Sequence, residues 1–441
     1  MNVPSAVVGI VQKLNRAGYE AYPVGGCVRD LLRGEQPHDW DITTSATPEE
    51  ILAVFSDEKT IPTGLKHGTV TVMKNGVPFE VTSYRVDGDY TDGRHPDSVR
   101  FTRSLKEDLA RRDFTVNAMA MDIENGVVDP FFGLRDLESK TLRCVGNPDD
   151  RFEEDALRIL RALRFSSVLG FAIEPKTAAS IHRNAHRLSL VSAERITEEF
   201  TKLLCGSYVA NVCREFVDVL EFLIPEISPL IGFSQHSPYH DRDIFEHTLA
   251  SVAAAKPQSV LRWTMLLHDI GKAECFTLDE NGVGHFYGHA THSVRLSTDV
   301  LSRFKLSNKD VERILLLVKI HDLPLPPDEV LLTKRLRKFG KDVLLQLLDV
   351  QDADCLAQSP EWTKKRLAEH QQVREMLEKL ALDVCYRLSD LAVDGRDLQA
   401  AGFPAGPALG KALDELLEAV IEKRVANEKT ALLAYIKNKP N

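Results

Sequence analysis

The chain has 441 residues, 43% hydrophobic and 27% charged, the make-up of a soluble globular protein with two to four domains rather than a single core. No apolar run reaches 18 residues, and MNVPSAVVGIVQKLNRAGYE at the start reads as an amphipathic helix without a basic leader, so neither a membrane span nor a secretory signal is expected. A formal charge of −10 counts against broad nucleic-acid affinity, and seven scattered cysteines without a CxxC pair exclude a zinc ribbon and point to a reducing cytoplasm.

After the first helix comes PVGGCVRDLLRGEQPHDWDITTS, residues 23–45. Gly25 and Gly26 precede a short helical pattern, Cys27–Leu32, and let the backbone approach an anion closely with helix-start N–H groups aimed at it. Arg29 can reach the same anion, and Asp30 either holds Arg29 or caps the helix. Asp39 and Asp41 lead into the β-formers Ile42 and Thr43; on a strand, residues i and i+2 share a face roughly 6.6 to 6.8 Å apart. Two carboxylates so placed can share hard divalent cations. An anion cradle followed by such a pair suggests a nucleoside triphosphate with magnesium.

Strand patterns follow at Gly68–Lys74 and Pro78–Ser83, separated by the turn signal Asn75-Gly76. Glu80, with apolar neighbours on the other face, is either a third carboxylate of the site or an ordinary exposed strand glutamate. In RRDFTVNAMA, Arg111–Ala120, the two arginines either cap an element or face a triphosphate. DPFFGLRDL, Asp129–Leu137, reads as a structural turn. From about residue 150 helical periodicity dominates, predicting helices over Glu153–Val168, Pro175–Asn184, Ala193–Leu204, Ile244–Ala255, Val260–Asp269, Ala290–Arg303, Asn308–Ile320, Val343–Ala357 and Leu409–Glu422. The predicted architecture is a small α+β head followed by a long helical body.

In the first of those helices, EEDALRILRALRFSS, Arg158, Arg161 and Arg164 recur every third residue beside a leucine stripe, with Asp155 one turn before Arg158. One reading is a solvated face with an i,i+3 ion pair. The other is a base reader: a carboxylate beside a guanidinium matches the edge that cytosine and adenine share, an amino donor next to an unprotonated ring nitrogen. Uracil and guanine present the reverse pattern.

In this order GGCVRDLL, DWD, RRDFTVNA, EDALRILRALRF and SAERI (Ser192–Ile196) resemble the bacterial class II CCA-adding tRNA nucleotidyltransferases, relatives of the bacterial poly(A) polymerases. The resemblance covers residues 23–200 and implies an α+β fold with a DNA polymerase β-like nucleotidyltransferase head over 1–145. All-α domains would follow: a base-recognising neck (146–206), a body with an HD-type motif (207–345) and a tRNA-binding tail (346–441). It implies a cytoplasmic enzyme that adds C, C and A to the 3′ end of tRNA from CTP and ATP without a nucleic acid template. Asp39 and Asp41 would hold magnesium, with Glu80 completing the catalytic carboxylates. Gly26, Arg29 and Arg112 would hold the triphosphate, Asp155 and Arg158 would read the base, and Arg161 and Arg164 would complete the pocket. Ser83–Phe101 looks like the family's flexible loop, at the length that goes with complete CCA addition, and LAVDGRDLQAAGF (Leu391–Phe403) looks like the tail of Gram-positive-type members. No membrane or protein partner is implied. The alternatives are a poly(A) polymerase, for which EKTALLAYIKNKPN is a short C-terminal extension, and an HD phosphohydrolase with an inactive head.

Eight of the fourteen histidines fall between His236 and His321, too dense for random loop composition. LLHDIGKA (Leu266–Ala273) places His268 and Asp269 at the end of an apolar helix, with His247 one helix earlier. This resembles the HD signature of metal-dependent phosphohydrolases and implies that His247, His268, Asp269 and Asp354 bind a divalent transition metal, with Asp352 as a rival last ligand. His289 and His321 match positions that bind a second metal or a phosphate in some HD proteins. The alternative is a degenerate domain kept as a scaffold for tRNA.

Overall fold

A computed structural model describes residues 3–88, 98–236, 242–358 and 360–438. Of the stretch Ser83–Phe101, residues 89–97 lie outside the described residues. The chain divides into two compact units, Met1–Pro225 with Arg303–Lys305, and Glu226–Ser302 with Leu306–Asn441.

The first unit opens with α1 (Ser5–Arg16), whose Val7, Ile10, Val11 and Leu14 make one buried stripe, as its periodicity predicts. Then come β1 (Ala21–Pro23), α2 (Gly26–Leu32), β2 (Asp41–Thr44), α3 (Pro48–Val54), β3 (Thr60–Gly64), β4 (Thr69–Lys74) and β5 (Val77–Ser83). The strands form one sheet in the order β1-β2-β5-β4-β3, parallel between β2 and β5 and antiparallel elsewhere. Ile42, Val70, Val72, Phe79 and Val81 pack with the α1 stripe and with Ile51 and Phe55. The tight β4–β5 hairpin turns on Asn75 and Gly76, both at positive φ (53° and 79°). That turn fixes which face of β5 carries Glu80.

Two local expectations need correction. Asp39 precedes β2, so Asp39 and Asp41 are not alternate residues of one strand. The helix predicted from Glu153 is two helices, α6 (Pro148–Glu154) and α7 (Leu157–Leu169), after α4 (Leu105–Ala110) and α5 (Gly133–Glu138). Asp155 lies between α6 and α7 in an extended conformation, φ −147° and ψ 103°, and its carboxylate accepts the Leu157 N–H at 3.0 Å. Its side chain thus serves the start of α7, where N–H groups otherwise lack partners. The Asp129–Leu137 turn is structural, as read. Asp129 accepts the N–H groups of Gly133 and Leu134, and Asp136 accepts from Thr115 and Arg143. A side chain at Gly133 would collide with the Thr115 carbonyl oxygen. The unit ends with α8 (Pro175–Asn184), α9 (Ala193–Leu204), α10 (Val209–Glu215) and α11 (Val217–Leu223).

The second unit is helical: α12 (Ile244–Ala254), α13 (Ser259–Leu267), α14 (His289–Arg303, whose last residue belongs to the first unit), α15 (Asn308–Ile320), α16 (Glu329–Phe339), α17 (Lys341–Leu356), α18 (Pro360–Asp383), α19 (Gly395–Ala400), α20 (Pro407–Ile421) and α21 (Lys429–Lys437). No helix was predicted at α16, α18, α19 or α21. In α18 the buried Val373, Leu377 and Leu380 form a narrow stripe among long charged residues, which dilutes the periodic signal. No described helix is long and apolar enough to cross a membrane.

Candidate active site and histidine–aspartate cluster

The parallel pairing of β2 with β5 sets Asp41 directly opposite Glu80. Asp39, Asp41 and Glu80 together line a cavity of about 880 Å³, beside His38, Trp40 and Lys74. Partial loss of hydration raises the Asp41 carboxyl above its ordinary range; Arg112 pulls the other way and Asp39 pushes it up again. Glu80 is raised by the same loss of hydration, then by Asp41 and Asp39. Crowded carboxylates that repel one another, with oxygen donors alone, fit a hard divalent cation.

Gly25 adopts φ 80°, and a Cβ there would come within 2.9 Å of the Arg112 guanidinium. The glycine therefore serves both an unusual backbone conformation and the close approach of an arginine. Arg29 is buried; Asp30 accepts its Nε and Nη2 at 2.8 and 3.0 Å, and Asn117 accepts its Nη1 at 2.6 Å. Asp30 thus holds Arg29 in place. Burial works against the Arg112 charge, and Asp108, 3.7 Å away, and Asp41 support it. Its buried Nε has no hydrogen-bond partner among the described residues.

Asn117 opens a network that the sequence reading did not single out. Its amide donates to Asp113 at 3.1 Å, and the other Asp113 oxygen accepts Arg161 at 2.9 and 2.6 Å. Burial alone would raise Asp113; Arg161 and Asn117 outweigh it and hold the carboxyl down to about 2. Arg164 pairs with Glu199 at 2.7 Å, and Arg29, Arg161 and Arg164 all lie over the Phe165 ring. Arginines from the glycine turn and from α7 therefore meet around one aromatic ring. The motif RRDFTVNA contained Asp113 and Asn117, but their partners lie 48 and 88 residues away in sequence.

Asp155 and Arg158 do not pair with each other. Asp155 binds Arg195 of the SAERI motif at 2.7 Å, and Arg158 binds Glu154 at 2.5 Å and the Arg111 carbonyl at 2.9 Å. The predicted i,i+3 ion pair is replaced by a long-range pair for Asp155, with Arg195, and by an i,i+4 pair with Glu154 and a long-range carbonyl bond for Arg158.

In the second unit Asp243 caps α12 by accepting the Glu246 N–H at 2.7 Å, which starts the helix at Ile244 and sets His247 in its first turn. α13 ends at Leu267 and leaves His268 and Asp269 at its tip; α15 ends just before His321, α14 begins at His289, and α17 carries Asp354. His247, His268 and Asp354 form one candidate ligand group, and Asp269, His289 and His321 a second. The Asp269 carboxylate joins them, with one oxygen 3.1 Å from His268 Nε2 and the other 3.4 Å from His289 Nε2. His247 Nε2 lies 2.9 Å from Asp354, whose other oxygen accepts the Gln358 amide. Burial opposes charge on His268, but Asp269 and Asp354 overcome it and raise the imidazole to about 10. Asp352 instead accepts His370 at 2.7 Å and pairs with Arg374, so it is not the last member of the cluster.

The donor chemistry fits a cation. The Nδ1 atoms of His289 and His321 are directed at the carbonyls of Phe286 and Val318, at 3.0 and 2.8 Å. With those protons so placed, the neutral rings turn two Nε2 lone pairs toward each other at 3.0 Å. Such a pair is repulsive unless a proton or a metal sits between, and backbone-anchored Nδ1 atoms are the usual support of metal-ligating histidines.

Models of three known families match the chain: the poly A polymerase head domain over residues 21–143, the RNA- and SrmB-binding site of polymerase A over 170–231, and tRNA nucleotidyltransferase domain 2 over 288–436. The CCA-adding enzyme of Geobacillus kaustophilus is 37% identical over 436 residues, 97% of this chain and 95% of that protein. The CCA-adding enzyme of Limosilactobacillus fermentum is 38% identical over 426 residues, covering 96% and 94%. The crystal structure of the Bacillus stearothermophilus CCA-adding enzyme in complex with CTP superposes with a TM-score of 0.76 at 34% identity, over 99% of this chain and 98% of that one. The Thermotoga maritima CCA-adding enzyme complexed with tRNA shares the fold, with a TM-score of 0.58 at 19% identity over 97% and 93%.

Proposed function

The chain belongs to the CCA-adding enzymes, class II tRNA nucleotidyltransferases, and from that premise we propose residue roles for its head, its base-reading segment and its histidine cluster. The protein adds C, C and A to the 3′ end of tRNA, with CTP and ATP as substrates and no nucleic acid template. The likeness to CCA-adding enzymes over nearly the whole chain favours this activity over the poly(A) polymerase alternative.

In our reading the head comprises residues 1–145, the neck 146–206, the body 207–345 and the tail 346–441. A head of this type works with a divalent metal; Asp39, Asp41 and Glu80 hold it, and magnesium is the ion that their oxygen donors favour. Once bound, the metal neutralises charge on the triphosphate and favours attack by the terminal hydroxyl of tRNA on the α-phosphorus. Gly26, Arg29 and Arg112 grip the triphosphate, and the unpaired Nε of Arg112 supports that role. Asp155 accepts from the exocyclic amine of C or A, and Arg158 donates to the ring nitrogen, each steadied by its anchor, Arg195 or Glu154. Arg161 and Arg164, tied to Asp113 and Glu199, close the pocket.

The observation that carries the head assignment is the in-register pairing of Asp41 with Glu80 beside Asp39 in one cavity. Pyrophosphate release from labelled CTP with tRNA lacking its CCA tests it: release by the wild-type protein and none from Asp41→Ala is the expected result, and turnover by Asp41→Ala overturns the assignment.

The facing Nε2 atoms of His289 and His321 favour a second reading for the other unit. His247, His268, Asp269 and Asp354 bind a divalent transition metal, His289 and His321 extend the site, and the cluster hydrolyses phosphate esters. Elemental analysis of the purified chain and hydrolysis of a 2′,3′-cyclic phosphate test this; a metal-free, inert protein leaves a scaffold.

A further inference from the structure

The histidine–aspartate cluster opens into a cavity of about 430 Å³ whose lining includes Asp269, His289, His321, Asp354 and His370. His370, on α18, is 9% exposed and belongs to none of the ligand groups. Its Nδ1 lies 2.7 Å from an Asp352 oxygen, and Arg374 pairs with Asp352 and also with Asp349 at 3.0 Å. A carboxylate on Nδ1 fixes the tautomer and ring plane, and leaves Nε2 as the free proton-handling atom of a residue lining the cavity. Lys272 and Arg366 line the same cavity and suit an anionic substrate.

We propose that His370 is the proton donor to the leaving group in phosphate ester hydrolysis at this cluster, with Asp352 as its positioning residue; this rests on the hydrolytic reading of the cluster given above. The substrate class is a phosphate ester of an alcohol. The oxygen of water forms a bond to phosphorus while the P–O ester bond breaks, and the electron pair of that bond leaves on the ester oxygen. That oxygen takes the Nε2 proton of the His370 imidazolium, whose Nδ1–H stays on Asp352, and one proton of the attacking water restores it, so the products are the free alcohol and inorganic phosphate. A carboxylate ligand does not do this work, because Asp269 and Asp354 already face imidazoles and Lys272.

The test compares two esters that differ in their need for a proton. p-Nitrophenolate leaves readily without one, whereas the alkoxide of benzyl phosphate does not. With the full chain supplied with manganese(II) or cobalt(II), His370→Ala should lose about 10²- to 10⁴-fold on benzyl phosphate and far less on p-nitrophenyl phosphate. His370→Asn, whose amide can still donate to Asp352 but has no Nε2, should lose as much as alanine; a structural role would be rescued by it. Asp352→Asn should shift the same selectivity by a smaller factor. Bound metal measured by elemental analysis should match wild type in all three. Equal losses on the two esters, or wild-type rates with asparagine at 370, overturn the proposal alone. A wild-type protein that hydrolyses neither ester overturns the hydrolytic reading itself, and the proposal with it.

Discussion

Asp41 and Glu80 stand opposite each other on adjacent parallel strands, 39 residues apart in sequence; loss of hydration raises both carboxyls, helped at Glu80 by Asp41 and Asp39 and at Asp41 by Asp39. The pairing predicts what their removal does. Asp39→Ala and Asp41→Ala should each reduce CTP and ATP addition by about 10³-fold or more, since a catalytic metal contributes several kcal/mol at the reacting phosphate. Binding of tRNA, measured by filter retention, should stay close to wild type. Glu80→Gln should give a smaller loss that added magnesium partly restores, and full activity in Glu80→Gln would return that residue to the surface of an ordinary strand.

Asp113 gives a pH-dependent prediction. Its carboxyl is held at about 2, against an ordinary value of 3.8, so its folded pKa is depressed. Such a group stabilises the fold fully above its unfolded value and loses that contribution as pH falls through the folded value. Asp113→Asn should therefore be less stable than wild type near neutral pH by roughly 2 kcal/mol, the free-energy equivalent of that depression. The gap should close between about pH 4 and pH 2. Urea unfolding of both proteins at several pH values measures it; a gap independent of pH would mean that the Arg161 pair is not its source.

The two candidate chemistries lie in different compact units. Replacing His268 and Asp269 together with alanine should leave CCA addition near the wild-type rate. The same change should lower bound transition metal and abolish phosphate ester hydrolysis. A collapse of CCA addition in a protein of unchanged thermal stability would show that the cluster serves the transferase.

Base reading is tested most cleanly at Asp155. Exchanging Asp155 and Arg158 would set an arginine against Arg195, so Asp155→Asn is the better probe. Its amide can donate where the carboxylate only accepts, which relieves the mismatch with uracil and guanine, worth about 1 to 3 kcal/mol per group. Discrimination against UTP and GTP should fall by roughly tenfold to a hundredfold, and use of CTP and ATP should fall together. Loss of ATP use alone, in single-nucleotide incorporation on tRNA lacking CCA, would mean that separate groups read the two bases.

Part of the candidate site was legible in the sequence: the glycine turn and the Asp39–Asp41 pair are local spellings whose chemistry follows from residue type and spacing, whereas the roles of Arg161, Arg164 and the pair His268–Asp269 came from resemblance to known families. Hydrophobic periodicity likewise located α8, α9 and α15 to the residue. It failed at α6–α7, where the period runs unbroken through Asp155 while a side-chain bond to the Leu157 N–H ends one helix and starts another. A periodic pattern reports which residues want burial, and it is blind to a single polar residue that competes for the backbone.

Sequence alone determined the chemical inventory of this protein: which carboxylates, guanidiniums and imidazoles are available, and on what kind of element each sits. Tertiary structure decided which of them meet. It set Glu80 against Asp41 through strand register, gave Asp155 to Arg195 and Arg158 to Glu154, chose Asp354 over Asp352 for the cluster, and turned Asp352 toward His370. Local propensity acts within about a turn of the chain, but His247 and Asp354 lie 107 residues apart, and only the packing of α12 and α13 against α17 brings their side chains to 2.9 Å.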